Sequence, residues 1–129
     1  MSVYILVVDD EPDLETLFRQ QFRRELRAGR FSMEFATSAP AALQRASDVC
    51  DRSLVLILSD INMPGMSGLE MLPEIRAKRP EVPVIMITAY GDRETRRTAL
   101  ERGAQGLLTK PIDFGQLRQE IDARLAQTA

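Results

Sequence analysis

Leu54-Val55-Leu56-Ile57-Leu58-Ser59-Asp60 is the stretch that decides the fold, together with the loop after it, Ile61-Asn62-Met63-Pro64-Gly65-Met66-Ser67-Gly68. Five consecutive large aliphatic residues, Leu54 to Leu58, leave no polar face. Such a run reads as a strand covered on both sides, the central kind found in parallel sheets. It ends in a carboxylate and then in a Pro- and Gly-punctuated loop that a strand cannot enter. Ligands of open α/β sheets bind just outside the carboxyl ends of the strands. Asp60 therefore stands at the mouth of a crevice, a place that favours chemistry over packing.

Upstream, Val3-Tyr4-Ile5-Leu6-Val7-Val8 is a second apolar run, and it too ends in acid, Asp9-Asp10-Glu11. Pro12 suits the first turn of a helix, whose positive end the surrounding carboxylates favour. Leu14, Leu17, Phe18 and Phe22 recur at helical spacing, and the helix is expected to run on through Arg23, Arg24 and Arg27 until Gly29 stops it. Phe31 to Phe35 reads as a short strand. Ser38 caps a second helix with Pro40 in its first turn and Ala42, Leu43 and Ala46 inward.

Downstream, Ser67-Gly68-Leu69-Glu70 has the form of a capping box, and Leu69, Leu72 and Ile75 make the buried stripe of a third helix. Pro73 lies inside that stripe, so a kink or a late helix start is expected. Arg79-Pro80-Glu81-Val82-Pro83 is a linker, and Val84 to Ile87 is a strand ending in Thr88. A fourth helix opens at Gly91-Asp92 and closes at Gly103. Its stripe is poor, only Ala99 and Leu100 beyond threonines, so it should be the least firmly packed. Ala104 to Leu108 is the last strand, left by Thr109-Lys110-Pro111. Asp113 caps a final helix with Phe114, Leu117, Ile121 and Leu125 inward. Strands and helices alternating with short links predict an α/β fold, a doubly wound parallel sheet.

The chain of 129 residues fits one domain, read as a single unit over 1–129. A net charge of -2 argues against direct nucleic acid binding. No apolar run approaches the ~20 residues needed to cross a bilayer, and a lone cysteine, Cys50, favours a reducing, cytoplasmic setting. The absence of histidine removes Ser/His and Cys/His nucleophilic pairs, imidazole metal ligands and any phosphohistidine on this chain.

Parallel strands bring their carboxyl ends to one rim, so Asp9, Asp10, Asp60, Thr88 and Lys110 converge. Clustered carboxylates repel one another and take up protons unless a cation is present. Oxygen ligands without His or a nearby Cys select a hard ion, and few ligands with retained waters suit Mg²⁺. A divalent ion beside an Asp, a Lys and a Thr hydroxyl suits phosphoryl transfer, whose charge spreads over three oxygens. Asp60 is then the nucleophile and forms an aspartyl phosphate.

The motifs V-V-D-D-E-P at 7–12, S-D-I-N-M-P-G-M-S-G at 59–68, I-T-A-Y at 87–90 and L-T-K-P at 108–111 are specific in combination. With them the sequence resembles, along essentially its whole length, the receiver domain of two-component response regulators. The resemblance implies a flavodoxin-like receiver fold with five strands in the order 2-1-3-4-5. It implies Asp60 as phosphate acceptor, with Asp10 and Asp60 as direct Mg²⁺ ligands. The backbone carbonyl of Asn62 would be a third ligand, and Asp9 would act mainly through water. Thr88 would meet the phosphoryl group and Lys110 would balance its charge. The Lys110–Pro111 bond would be cis. The implied partner is a sensor histidine kinase or a histidine phosphotransfer protein that supplies the phosphoryl group. An effector domain or output protein would follow, and a weak homodimer is a further state. The role is a signalling switch acting on the surface of the fourth helix and fifth strand, not an enzyme beyond catalysing its own phosphorylation and dephosphorylation.

Two positions bear on the switch. Receivers usually carry Tyr or Phe three residues before the lysine, where this chain has Leu107. Leu107 is expected to sit inward, leaving Thr88 and the segment around Tyr90 as the moving parts. Tyr90, two residues beyond Thr88, is a candidate cover for the phosphoryl group. One alternative is a Mg²⁺-dependent phosphatase of the haloacid dehalogenase type. That family needs an Asp two residues after the nucleophile, where this chain has Asn62, which cannot serve as general acid. Another is a degenerate receiver that binds partners without phosphate, slightly favoured by Leu107. Arg93, Arg96 and Arg97 read as a solvated helix face, with docking to an acidic partner as the alternative, and the arginines of the first helix mostly as helix-end electrostatics, although the resemblance implies that a phosphodonor often docks near that helix.

Overall fold

The computed structural model describes residues 3–48, 53–89 and 91–128. Cys50 and Tyr90 lie outside the described residues. The strands are β1 (Val3–Val8), β2 (Ser32–Ala36), β3 (Ser53–Asp60), β4 (Val84–Thr88) and β5 (Gly106–Thr109). The helices are α1 (Pro12–Gln21), α2 (Arg23–Arg27), α3 (Ala39–Ser47), α4 (Gly68–Lys78), α5 (Arg93–Glu101) and α6 (Phe114–Thr128). The strands form one parallel sheet in the order β2-β1-β3-β4-β5, the order implied by the resemblance. The direction of winding reverses between β1 and β3, so a crevice opens between their carboxyl ends.

The sheet is covered on both faces. Tyr4, Leu6, Val8, Ile57 and Met86 pack with Ala42, Ala46, Leu72, Ile75 and Ala99 on the α3–α4–α5 side. Ile5, Val7, Leu58, Ile85 and Ile87 pack with Phe18, Phe22, Leu117 and Ile121 on the α1–α6 side. The apolar run of β3 is not regular. Tyr4 pairs with Leu54 and Ile5 with Leu56, so Val55 is an extra residue that shifts the register. Val55 and Leu56 then share the α1–α6 side, and alternation resumes with Ile57 and Leu58 on opposite faces. A run with no polar residue carries no sign of such a shift.

The helix starts follow the sequence reading. Ser38 Oγ accepts from the Ala41 N–H, and Asp113 Oδ1 from the Gln116 N–H. The Ser67–Glu70 capping box is complete in both directions. Three local expectations need correction. The first helix does not run unbroken to Arg27: it ends at Gln21, and Phe22 (φ -106, ψ 22) separates it from α2. Phe22 is fully buried beside Phe31 and Phe114, and holding its ring there turns the backbone out of helix. Leu17, one residue away from buried Phe18 around the helix, is 38% exposed instead of inward. Leu100 likewise faces solvent at 47%.

Of the two expectations at Pro73, a kink or a late helix start, the late start does not occur. α4 begins directly after Ser67 and passes through Pro73. Proline cannot donate to the carbonyl four residues back, which is that of Leu69. Arg102, at the end of α5, supplies the missing donor from its Nη1 at 2.7 Å.

Candidate functional site

The acidic rim is assembled at the β1–β3 reversal. The Asp9 N–H extends the ladder to the Ala36 carbonyl at 3.0 Å, and Asp9 Oδ1 accepts from the Glu11 N–H at 2.9 Å, turning the chain into α1. Asp60 closes β3. Its neighbour Ile61 donates to the Ile87 carbonyl on β4 at 3.0 Å. β5 delivers Lys110, whose N–H bonds the Thr88 carbonyl at 2.8 Å, and the Lys110–Pro111 bond is cis as expected.

Asp9, Asp10 and Asp60 each offer a carboxylate oxygen, and these atoms all lie within 4.8 Å of one another. The Lys110 ammonium is 3.5 Å from Asp9 Oδ2 and 3.6 Å from Asp60 Oδ2, bridging two buried carboxylates. Burial first, then the charge of Asp9, pushes the Asp60 carboxyl above its usual range. Lys110 and the Asn62 N–H, 3.4 Å from Oδ1, oppose that rise without cancelling it. For Lys110 burial works against the ammonium, but Asp60, Asp9 and Glu11 together outweigh it and raise its pKa. One lysine therefore does not neutralise the rim. The donor set is all oxygen and converges on one point, which fits a hard divalent cation such as Mg²⁺.

Thr88 is buried at the end of β4 and Leu107 is buried on the α3–α4–α5 side, packed inward as expected. Asn62 is exposed beside Asp60. Two positions were missed by the sequence reading as parts of this site. The hydroxyl of Ser59, fully buried, donates to the Asp60 carbonyl at 3.0 Å. Gly68 lies so close beneath Asp60 that a Cβ would collide with the Asp60 carbonyl oxygen and lie 2.8 Å from Met86 Cε. Glycine there lets α4 begin against the site, and the Ser-Gly pair at the capping box was the available signal.

Comparison with known proteins agrees with this arrangement. Residues 5–122 match the family model of the response regulator receiver domain. The response regulator protein PilR of Pseudomonas aeruginosa is 37% identical over 121 residues, covering 93% of this chain and 25% of PilR. The transcriptional regulatory protein ZraR of Escherichia coli K12 is 35% identical over 127 residues, covering 98% of this chain and 27% of ZraR. The chain thus spans about a quarter of the length of these curated relatives. Among solved structures, a CheY-like receiver domain protein from Methanospirillum hungatei JF-1 superposes with a TM-score of 0.84 at 28% identity. The superposition covers 98% of this chain and 96% of that one. Sheet order, acidic rim and sequence match agree, and the chain belongs to the response regulator receiver domain family of two-component signalling.

Proposed function

We propose that residues 1–129 form one receiver unit in which Asp60 accepts a phosphoryl group from a phosphohistidine of a partner kinase or phosphotransfer protein. The observation that carries this reading is the Lys110 ammonium poised between Asp9 and Asp60 on a rim of three carboxylates. An Asp60 carboxylate oxygen bonds to phosphorus, the P–N bond breaks, and the imidazole leaves with its electron pair and takes a proton. Asp10, Asp60 and the Asn62 carbonyl would hold Mg²⁺, with Asp9 acting through water. When bound, the ion neutralises carboxylates and incoming phosphoryl oxygens that would otherwise repel. Lys110, already beside Asp60 Oδ2, is within reach of an oxygen on a phosphorus bonded there.

The response runs through the Thr88 hydroxyl into Ala89, Gly91 and the start of α5, with Tyr90 a candidate cover and Leu107 remaining inward. α5 suits the role because Ala99 is its one buried residue among those described. The resulting surface would address an effector domain or output protein. Among the described residues no helix is long and apolar enough to cross a membrane.

Labelling with acetyl phosphate tests the chemistry. Wild-type chain with Mg²⁺ should gain one acid-labile phosphate by mass spectrometry. Asp60→Asn, or chelation of the metal, should abolish it. Label retained in Asp60→Asn would assign the phosphate elsewhere. Thr88→Ala should still label but lose the amide shifts at 91–97 that phosphorylation causes, whereas Leu107→Ala should keep them.

A further inference from the structure

Away from the acidic rim, a concavity of about 650 Å³ opens where α2 meets α6. Gln20, the first of its lining residues, lies eight residues beyond Pro12 at the rim, about 12 Å of helix. The break at Phe22 makes it. The buried ring holds the end of α1, and α2 departs at an angle that leaves a hollow beside α6. Arg23, Arg24, Arg30 and Arg118 line this hollow, together with Gln20, Gln21, Glu25 and Ala28.

Two of the arginines are held in place. Arg118 stacks over the Phe22 ring at 4.9 Å, donates to the Gln21 carbonyl at 2.6 Å and pairs with Glu25. Arg30 pairs with Asp122 at 2.9 Å. Arg23 and Arg24 are exposed, and among the described residues neither has a carboxylate within 4 Å. Four positive charges thus face two carboxylates, both already engaged. Helix-end electrostatics accounts for Arg23 and Arg24. It does not account for Arg30 from a loop and Arg118 from another helix converging on the same hollow.

We propose that this pocket binds a phosphate-monoester dianion. The two uncompensated charges match a dianion, and guanidinium groups present N–H pairs that fit phosphate oxygens bidentately. Arg118 and Arg30, preset by their partners, would orient the ligand. Arg23 and Arg24 would close on it, and the Gln20 amide offers a neutral contact. The volume lies within the range of small-molecule sites. The site is independent of the Asp60 chemistry.

Phenyl phosphate titrated at pH 8 into the ¹⁵N-labelled chain, in Mg²⁺-free low-salt buffer against chloride of matched ionic strength, tests this. Saturable amide shifts are expected at residues 20–30 and around Arg118, unchanged in Asp60→Asn. The double substitution Arg23→Gln, Arg24→Gln should weaken binding by about tenfold or more. Both side chains are exposed, so the fold should be intact by circular dichroism. The proposal is overturned by shifts that do not saturate, or by equal binding in the double variant. Tighter saturation of the same amides by a glutamate oligopeptide would overturn the phosphate assignment in favour of an acidic protein segment.

Discussion

α4 and α5 follow neighbouring strands, begin with side-chain caps of similar quality and flank the same rim, yet they are held very differently. α4 buries Gly68, Met71, Leu72 and Ile75, and its first residue lies against the Asp60 carbonyl. α5 buries Ala99, turns Leu100 outward and exposes Arg93, Arg96 and Arg97, the last paired with Glu94 at 3.0 Å. A good cap fixes where a helix starts, but buried apolar area fixes how firmly it stays. The molecule thus pairs an anchored helix with a weakly anchored one around the Asp60 carboxylate. Under the proposed function, a change of charge at Asp60 would move one side while the other kept the site assembled.

The comparison breaks most clearly at the core contacts. Leu72→Ala in α4 should lower unfolding free energy by about 2–5 kcal/mol in urea titrations. Leu100→Ala in α5 should change it by no more than about 0.5 kcal/mol. Equal effects would mean that the two helices are anchored alike. Next comes Gly68→Ala. The added methyl has no room beside the Asp60 carbonyl, so a loss of about 1–3 kcal/mol is expected. Asp60 should also label more slowly with acetyl phosphate, whereas a surface substitution of equal thermodynamic cost would leave the rate unchanged.

Arg102 sharpens the comparison, because it ties the loose helix to the firm one. Arg102→Ala removes the donor to the Leu69 carbonyl that Pro73 cannot serve, an exposed bond whose loss should cost about 0.5 kcal/mol. Hydrogen exchange in α5 should accelerate more than in α4. Pro73→Ala returns a backbone donor to that carbonyl and should make the Arg102 substitution milder. No change in the cost of Arg102→Ala in the Pro73→Ala background would refute the pairing.

The smallest effect is expected from pH. The Ser67 N–H, then its hydroxyl, holds the Glu70 carboxyl below its ordinary value. The Thr95 N–H, then its hydroxyl, does the same for Asp92. A depressed folded-state pKa gives stability that is fully present above the ordinary carboxylate value and lost as pH falls through the depressed one. Both helix starts should therefore loosen in acid, α5 more visibly because less burial supports it. Carboxyl-resolved NMR titration would show both midpoints below the ordinary range. A midpoint at the ordinary value for either residue would remove its cap from the account.

Much of this was legible in the chain itself because it depends on local rules. Ser38, Ser67 and Asp113 cap helices by reaching their own third neighbour, which spacing reveals. The donor that Pro73 removes is equally legible, but its replacement, Arg102, lies 33 residues from Leu69 and is not. Leu17 and Leu100 were placed inward because hydrophobicity shows which residues favour burial and not which have a neighbour to bury them.

From sequence alone came the parallel α/β sheet, the convergence of Asp9, Asp10, Asp60, Thr88 and Lys110, and the family. Unbroken apolar runs, strand-end carboxylates and short links leave few ways to lay out such a chain. Tertiary structure decided the rest: the register shift at Val55, the break at Phe22, the approach of Gly68 to Asp60 and the Arg-lined hollow beside α6. Each depends on close packing between segments distant in sequence, where fractions of an ångström decide whether an atom fits.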